Sequence, residues 1–296
     1  MAADTVPTPA PAVRQAELTG YRRTLQTRQI IIWVILGLGA LAMIVPFEWM
    51  IATSFSRLAN QSMPRIPRLW PADPSLFNYE VAVRNLPILR YYANSLFVTA
   101  VSTVGYLFFS SLTGYVFAKG RFIGKPVLFV ILLMTLMVPF EVRMIPLYLF
   151  MRKLDLTDTY WALILPFLSG GFGMFLMRQY MTTIPDDLVD AARVDGAHEF
   201  DIYWRVMLPL CGPPLAALAV RNALWRWNDV LWPLMVISNS DYYTVTLGLA
   251  TASRQQGILT GVALANTTLA ILPIALLYIV LQRFIIRGIA YSGLKG

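Results

Sequence analysis

The 296 residues are 57% hydrophobic and only 14% charged, with a formal net charge of +8 and a mean hydropathy of +0.59. Soluble domains carry about 25% charged residues, so a water-facing surface is excluded over most of this chain and an all-α integral membrane protein is expected. The single cysteine, Cys211, excludes an internal disulfide, and the single histidine, His198, leaves little for metal chemistry.

Residues 1–29 open on MAADTVPTPAPAV, rich in Pro and Ala, and are expected to form a disordered cytoplasmic tail. A first span is expected from Ile30 to Phe55, interrupted only by Pro46 and Glu48. Arg22, Arg23 and Arg28 ahead of it, with ALA at 40–42, imitate a secretory signal. The apolar run continues through MIVPF and WMIATSF, too long for such a signal, so the span is read as uncleaved. The uncharged stretch 91–118 places a second span near 94–118. Pro126 to Phe150 forms a third, apolar as far as Phe140 and then carrying Glu141 and Arg143. The uncharged stretches 159–177 and 255–282 place spans near 159–178 and 258–283. Between them, Gly212 to Ile237 forms a span that carries Arg221, Arg226 and Asp229. A bilayer core takes about 20 apolar residues in a helix, and the expected total is six transmembrane helices.

Basic residues set the orientation. With both termini inside, the cytoplasmic side receives Arg14, Arg22, Arg23, Arg28, Lys119, Arg121, Lys125, Arg178, Arg193, Arg205, Arg283, Arg287 and Lys295. The outer side receives fewer: Arg57, Arg65, Arg68, Arg84, Arg90, Arg143, Arg152, Lys153 and Arg254. The net positive charge is therefore read as loop lysines and arginines, not as a nucleic-acid surface.

On the cytoplasmic side of this topology lies DDLVDAARVDGAHEFDIYWRVMLPLCGPP, from Asp186 to Pro214. Pro185 suits a first turn, Asp186 and Asp187 face the positive end of a helix dipole, and Gly196 suits a C-terminal stop. Leu188, Ala191 and Ala192 fall on one face. A second short helix is expected from His198 to Met207, ending at Pro209. Helix–helix connections typically take about 2–8 residues, and the 181–211 loop far exceeds that. A connecting hairpin and a partner-docking knob both fit the pattern.

DAARVDGAHEFDIYWRVMLPL resembles the EAA loop of ABC importer permeases. Asp190 stands where Glu is usual, and Ala191, Ala192, Asp195, Gly196, Ala197, Leu208 and Pro209 match, with His198 inside the motif. LMVPFEVRMIPLY, WNDVLWPLMV and QRFIIRGIAYSGLKG are similar to the carbohydrate-uptake branch, in particular the smaller maltose-type permease subunits. The likeness runs from Ile30 to the C-terminus, residues 30–296. It implies a six-span permease whose 181–211 loop is the coupling helix of a separate ATPase. It also implies a second permease, two ATPase subunits and an extracytoplasmic solute-binding protein, in the inner or plasma membrane. Aspartate is one methylene shorter than glutamate, so the reach of Asp190 is a question for the structure.

GRFIGKP, Gly120 to Pro126, falls one residue short of a phosphate-binding loop and has Pro126 where a hydroxyl is required. No catalytic constellation or metal site is read from the sequence, and no cofactor is expected in this chain; ATP and Mg would belong to the ATPase. Arg226 and Asp229, at i, i+3 spacing among Trp225, Trp227, Asn228 and Trp232, read either as part of a solute path or as an interfacial anchor. Glu141 and Arg143 share that ambiguity. An ion-coupled secondary transporter would need intramembrane carboxylates, for which Glu48, Glu141 and Asp229 are the candidates. A receptor or scaffold would leave the 181–211 loop unexplained.

The expected topology is checked by cysteine accessibility. Membrane-impermeant reagent added outside should label a cysteine placed at position 75 and miss cysteines placed at 121 and 196; external labelling at 196 would invert the topology.

Overall fold

The computed structural model describes residues 11–61, 69–71, 73–255 and 259–292. Residues 1–10 of the expected tail, Arg65 and Arg68 of the outer loop, and Lys295 lie outside the described residues. Regular structure among the described residues is helical, with one isolated bridge between Ser56 and Pro74.

Helix α1 runs Pro11–Ser54, so the helix starts well before the expected first span at Ile30 and includes residues 11–29 of the expected tail. Its apolar side chains from Ile30 to Phe47 are exposed, as suits a helix whose solvent is lipid or another chain. Its buried side chains, among the described residues, lie at its end, Ala52 to Ser54, where the Ser54 hydroxyl meets that of Tyr79 at 2.6 Å. Helix α2, Phe77–Asn85, carries Tyr79 and also Asn78, whose amide donates to the carbonyls of Ser54 and Ser56 at 2.9 Å each. Helix α3, Ile88–Lys119, is the second uninterrupted apolar helix.

The expected third span is not straight. Helices α4, Lys125–Met137, and α5, Phe140–Lys153, meet at 99°. Pro139 lacks an amide hydrogen and disfavours helical backbone at the residue before it, and Val138 is extended at φ −85°, ψ 112°. The bend turns the segment bearing Glu141 and Arg143 away from the α4 axis. Helix α6, Tyr160–Ile164, continues through a 3₁₀ turn to Phe167 and bends by 41° into α7, Gly171–Thr182.

The polar loop supplies α8, Asp187–Val194, α9, Glu199–Asp201, a π turn over Ile202–Met207 and α10, Leu208–Leu210. An 82° bend leads into α11, Gly212–Asn228. The expected fifth span stops there: Asp229 is extended and Leu231–Val236 forms a separate short α12. Helix α13, Val245–Gln255, precedes α14, Thr260–Ser292, which covers the expected sixth span. Among the described residues, two helices cross a bilayer by length and composition alone, or up to five spans if each bent pair is one. The Thr260–Leu276 part of α14 is a further, shorter apolar helix.

Helices α3 and α7 form the closest seam. A β-carbon on Gly114 would lie 2.6 Å from the Met177 β-carbon and 2.9 Å from the Arg178 amide nitrogen. From the other side, one on Gly173 would lie 2.3 Å from the Ser110 hydroxyl oxygen. In lipid, helices gain nothing by hiding apolar surface from one another, so small residues that admit close packing carry the association. Around this seam a core gathers Met177, Met181, Ile202, Tyr203, Met207, Cys211 and Leu218. A second core at the other end of the bundle holds Leu163, Ile164, Trp232, Val236 and Leu247.

Gly114→Val should force the seam apart, at a cost of about 1–3 kcal/mol for overpacking. Gly212→Ala, where an added β-carbon meets nothing within 4 Å, should be neutral. Thermal unfolding of the two variants in the same detergent, by near-UV circular dichroism, checks the contrast.

Candidate functional site

Two regions concentrate the sequence-singled residues: the 181–211 loop and a cavity between α5, α7 and α11.

The loop begins with a glycine stop of well-defined geometry. Gly196 has φ +79°, its amide donates to the Arg193 carbonyl at 3.0 Å, and the Ala197 amide donates to the Ala192 carbonyl at 3.0 Å. These two bonds and the left-handed residue make a Schellman end, with Asp195 as the helix cap. The expected single face of Leu188, Ala191 and Ala192 is divided. Val189, fully buried, is the anchor, and Ala192 and Ala197 pack with it onto the core below. Leu188 and Ala191 point outward with Val194 and, from the next helix, Phe200 and Trp204. A helix advances about 100° per residue, so a face defined by its most buried residue is rotated from one defined by small residues.

Pro209 does not end the second helix. Helical backbone continues to Leu210, and the amide of Leu208 donates to the carbonyl of Tyr203, five residues back. The widened π turn lets a proline sit in the helix, since one i to i−4 partner is skipped. Leu208 packs against the core, and Pro209 and His198 are exposed.

Asp190 does reach a partner: Arg193, at 3.0 Å. Arg193 also bonds Glu199 at 2.8 Å, bridging the Gly196 turn. Glu199 accepts a further hydrogen bond from the Tyr115 hydroxyl at 2.6 Å. Lys119, its side chain 4% exposed, donates to the Ile184 carbonyl at 2.6 Å and pairs with Asp186. Both Tyr115 and Lys119 belong to the last turns of α3, so the loop is pinned from behind to a membrane-spanning helix. A cation there also suits the helix C-terminus. The bonds to Arg193 and then Tyr115 hold the Glu199 carboxyl below its ordinary range, and the bond to Lys119 does the same for Asp186. Sequence reading counted Lys119 only among the cytoplasmic charges and gave Tyr115 and Glu199 no role, since Tyr115 and Lys119 lie far from the loop along the chain.

The cavity is about 650 Å³. Its wall includes Tyr106, Phe140, Arg143, Phe167, Phe172, Arg221, Asn222, Trp225 and Arg226. Arg226 pairs with Asp229 at 3.1 Å, the side chains 7% and 12% exposed, and its guanidinium carbon lies 3.5 Å from the Phe167 ring centre. Asp229 also accepts the Trp232 amide at 3.3 Å. Trp227 turns away, its indole donating to the Ala270 carbonyl at 3.4 Å, and exposed Asn228 donates back to the Leu224 carbonyl at 2.9 Å. Trp232 is fully buried and donates to the Ala162 carbonyl at 2.9 Å, so it belongs to the core and not to an aromatic belt. Glu141 and Asp229 line an adjoining recess. Arg143 and Arg226 thus meet in one cavity, while Glu141 faces its neighbour. Arg221, set aside by the i, i+3 argument, stacks on Phe172 at 4.4 Å and Trp225 at 5.0 Å.

Residues 91–291, which include both regions, match the family described as the binding-protein-dependent transport system inner membrane component. The chain belongs to that family. It is 42% identical to the arabinooligosaccharides transport system permease protein AraQ of Halalkalibacterium halodurans over 70% of this chain and 74% of the relative. It is 32% identical to the lactose transport system permease protein LacG of Rhizobium radiobacter over 93% and 99% of the two chains. Among solved structures it resembles a bacterial ABC transporter involved in the import of the acidic polysaccharide alginate, with a TM-score of 0.74 and 26% identity over 94% and 99% of the chains. The protein is thus a membrane permease of the sugar ABC transporter family.

Because Glu199 is depressed, the attachment it makes is fully in place above its ordinary value of 4.5 and is lost as pH falls through the lowered one. Hydrogen exchange of the 197–207 amides in this permease should stay slow from pH 7 to 5 and quicken below that value. Glu199→Gln should raise exchange at pH 7 and flatten the profile; an unchanged profile would remove Glu199 from the attachment.

Proposed function

We propose that this permease is one of two membrane-spanning subunits of an ATP-driven carbohydrate importer, and that its 181–211 loop seats in the ATPase. The assembly would hold a second permease, two ATPase subunits that bind ATP and Mg, and an extracytoplasmic solute-binding protein. Both termini and the loop are cytoplasmic in this reading. The family relationship supports the importer class, and the relatives named for arabinooligosaccharides, lactose and alginate support a carbohydrate.

The observation that carries the proposal is the loop's construction. Leu188, Val194, Phe200 and Trp204 are exposed apolar side chains on a polar connection, a surface that suits a protein partner. Behind them, Val189, Tyr203 and Met207 are immobilised in the core, and Tyr115 and Lys119 tie the loop to α3. A displacement imposed by ATPase closure would therefore be delivered to α3, and through the α3–α7 seam to the cavity wall, where Tyr106 and Phe172 sit. Alternating access is the motion this linkage would drive. The ion-coupled alternative is not favoured: Glu48 is exposed on α1, Glu141 lines an open recess, and Asp229 is committed to Arg226.

Gly196 supplies the test. Space around it is open, so a substitution acts through backbone strain alone, about 1–2 kcal/mol for a side chain in a left-handed position. Gly196→Val should insert normally but lose ATPase co-purification and transport at least tenfold, while Gly196→Asn, which tolerates that backbone, should keep most of both. Full transport by the valine variant would sink the coupling role of the loop.

A further inference from the structure

We propose that the cavity selects an anionic carbohydrate, one bearing a carboxylate or a phosphate ester, and that Arg221 is the residue that binds the anion. This rests on the permease reading above and adds the charge class of the solute and the side chain that reads it.

Three guanidinium groups, from Arg143, Arg221 and Arg226, line the cavity, and none of its lining residues is a carboxylate. They are not equivalent. Arg226 is neutralised by Asp229 and lies over the Phe167 ring. Arg143 and Arg221 form no ion pair among the described residues, although Arg221 also borders the adjoining recess, which Glu141 and Asp229 line. Neither of the two donates a hydrogen bond to another described side chain or carbonyl, whereas Arg178, on the same bundle, donates to the Phe117 carbonyl at 3.2 Å.

Arg221 is placed by two aromatic rings. Phe172 and Trp225 lie 4.4 Å and 5.0 Å from its guanidinium carbon. Cation–π contact restrains the group and uses none of its five N–H donors. A planar fork held in this way is preorganised for two parallel bonds to a carboxylate or phosphate, which a lysine could not make. The pair Arg226–Asp229 is neutral as a unit, so within the cavity's own lining the uncompensated charges are Arg143 and Arg221, with Glu141 in the adjoining recess. Charges within membrane-spanning segments usually face a bundle interior or a watery cavity, and Arg143 and Arg221 both line one. The volume of about 650 Å³ suits a disaccharide-sized segment, within the range of about 300–1,000 Å³ usual for ligand pockets. The exposed rings of Trp225 and Phe172 then bound the sugar beside its anion.

Trp225 supplies the readout. The purified complex in detergent is titrated by tryptophan emission with digalacturonate, with trehalose 6-phosphate, and with the neutral disaccharides galactobiose and trehalose. At least one anionic probe should bind ten times tighter than its neutral counterpart, and the tighter of the two identifies carboxylate or phosphate as the recognised group. Arg221→Gln should abolish the preference and leave the neutral sugars unchanged, with Arg221→Lys intermediate. Equal affinity for charged and neutral probes, or a preference untouched by Arg221→Gln, would overturn the proposal. So would loss of the second permease from the Arg221→Gln complex, which would make Arg221 an interface residue. A complex that retains its ATPase and hydrolyses ATP without the anion preference defeats this inference alone. A chain that never captures an ATPase defeats the importer reading instead, and the same titration can still be read on it because its own residues form the cavity wall.

Discussion

The close approach of α3 and α7 is the constraint on which the other features depend. Gly114 and Gly173 leave no room for a β-carbon, so the two helices meet closely along a line of small side chains that includes Ser110. One helix thereby serves two places. Its last turns bear Tyr115 and Lys119, which hold the polar loop, and its middle bears Tyr106, which lines the cavity. A stiff helix with a contact at each end transmits displacement; a helix packed loosely through long side chains would absorb it.

Satisfied polar groups keep the far end of the bundle equally fixed. Asn94 donates to the Asp241 and Tyr243 carbonyls at 2.8 and 2.9 Å and accepts from the Tyr160 hydroxyl at 2.7 Å. Ser95 accepts the Val245 amide at 2.8 Å, and the Trp232 indole closes on the Ala162 carbonyl. Each bond joins segments distant in sequence, and each removes an unpaired polar group from surroundings that would penalise it. The breaks in the spans are tolerated for the same reason: they lie where the chain lines a cavity or is covered by protein.

Loop and cavity treat their cations in opposite ways. In the loop, Lys119 meets Asp186 and Arg193 meets both Asp190 and Glu199, so charge there serves to hold shape. In the cavity, Arg226 is paired, while Arg143 and Arg221 form no ion pair among the described residues. The two regions also differ in what they expose: apolar side chains on the loop, polar and aromatic ones in the cavity. The contrast follows from the partner each would meet, a folded protein in one case and a hydrated solute in the other.

Much of this was legible in the sequence. The scarcity of charge required a membrane protein, the uncharged stretches located α3, α7 and α14, and DGA around Gly196 marked a helix stop that the φ of +79° bears out. The spacing of Arg226 and Asp229 was enough to anticipate their ion pair. Other features depend on contacts between residues far apart in the chain. Hydropathy counts residues and has no term for direction, so it joined α4 to α5 across a 99° bend and ran α11 into α12. Helical periodicity fixes the angle between side chains and not which angle faces inward, so Val189, not the alanines, proved to be the anchor of α8. Tyr115 meets Glu199, and Arg221 meets Phe172, only after the helices have packed. Composition and local spacing set the solvent, the helices and their ends, because those depend on neighbours along the chain. Tertiary structure alone decided which charges are spent on the fold and which remain free, because that depends on neighbours across it.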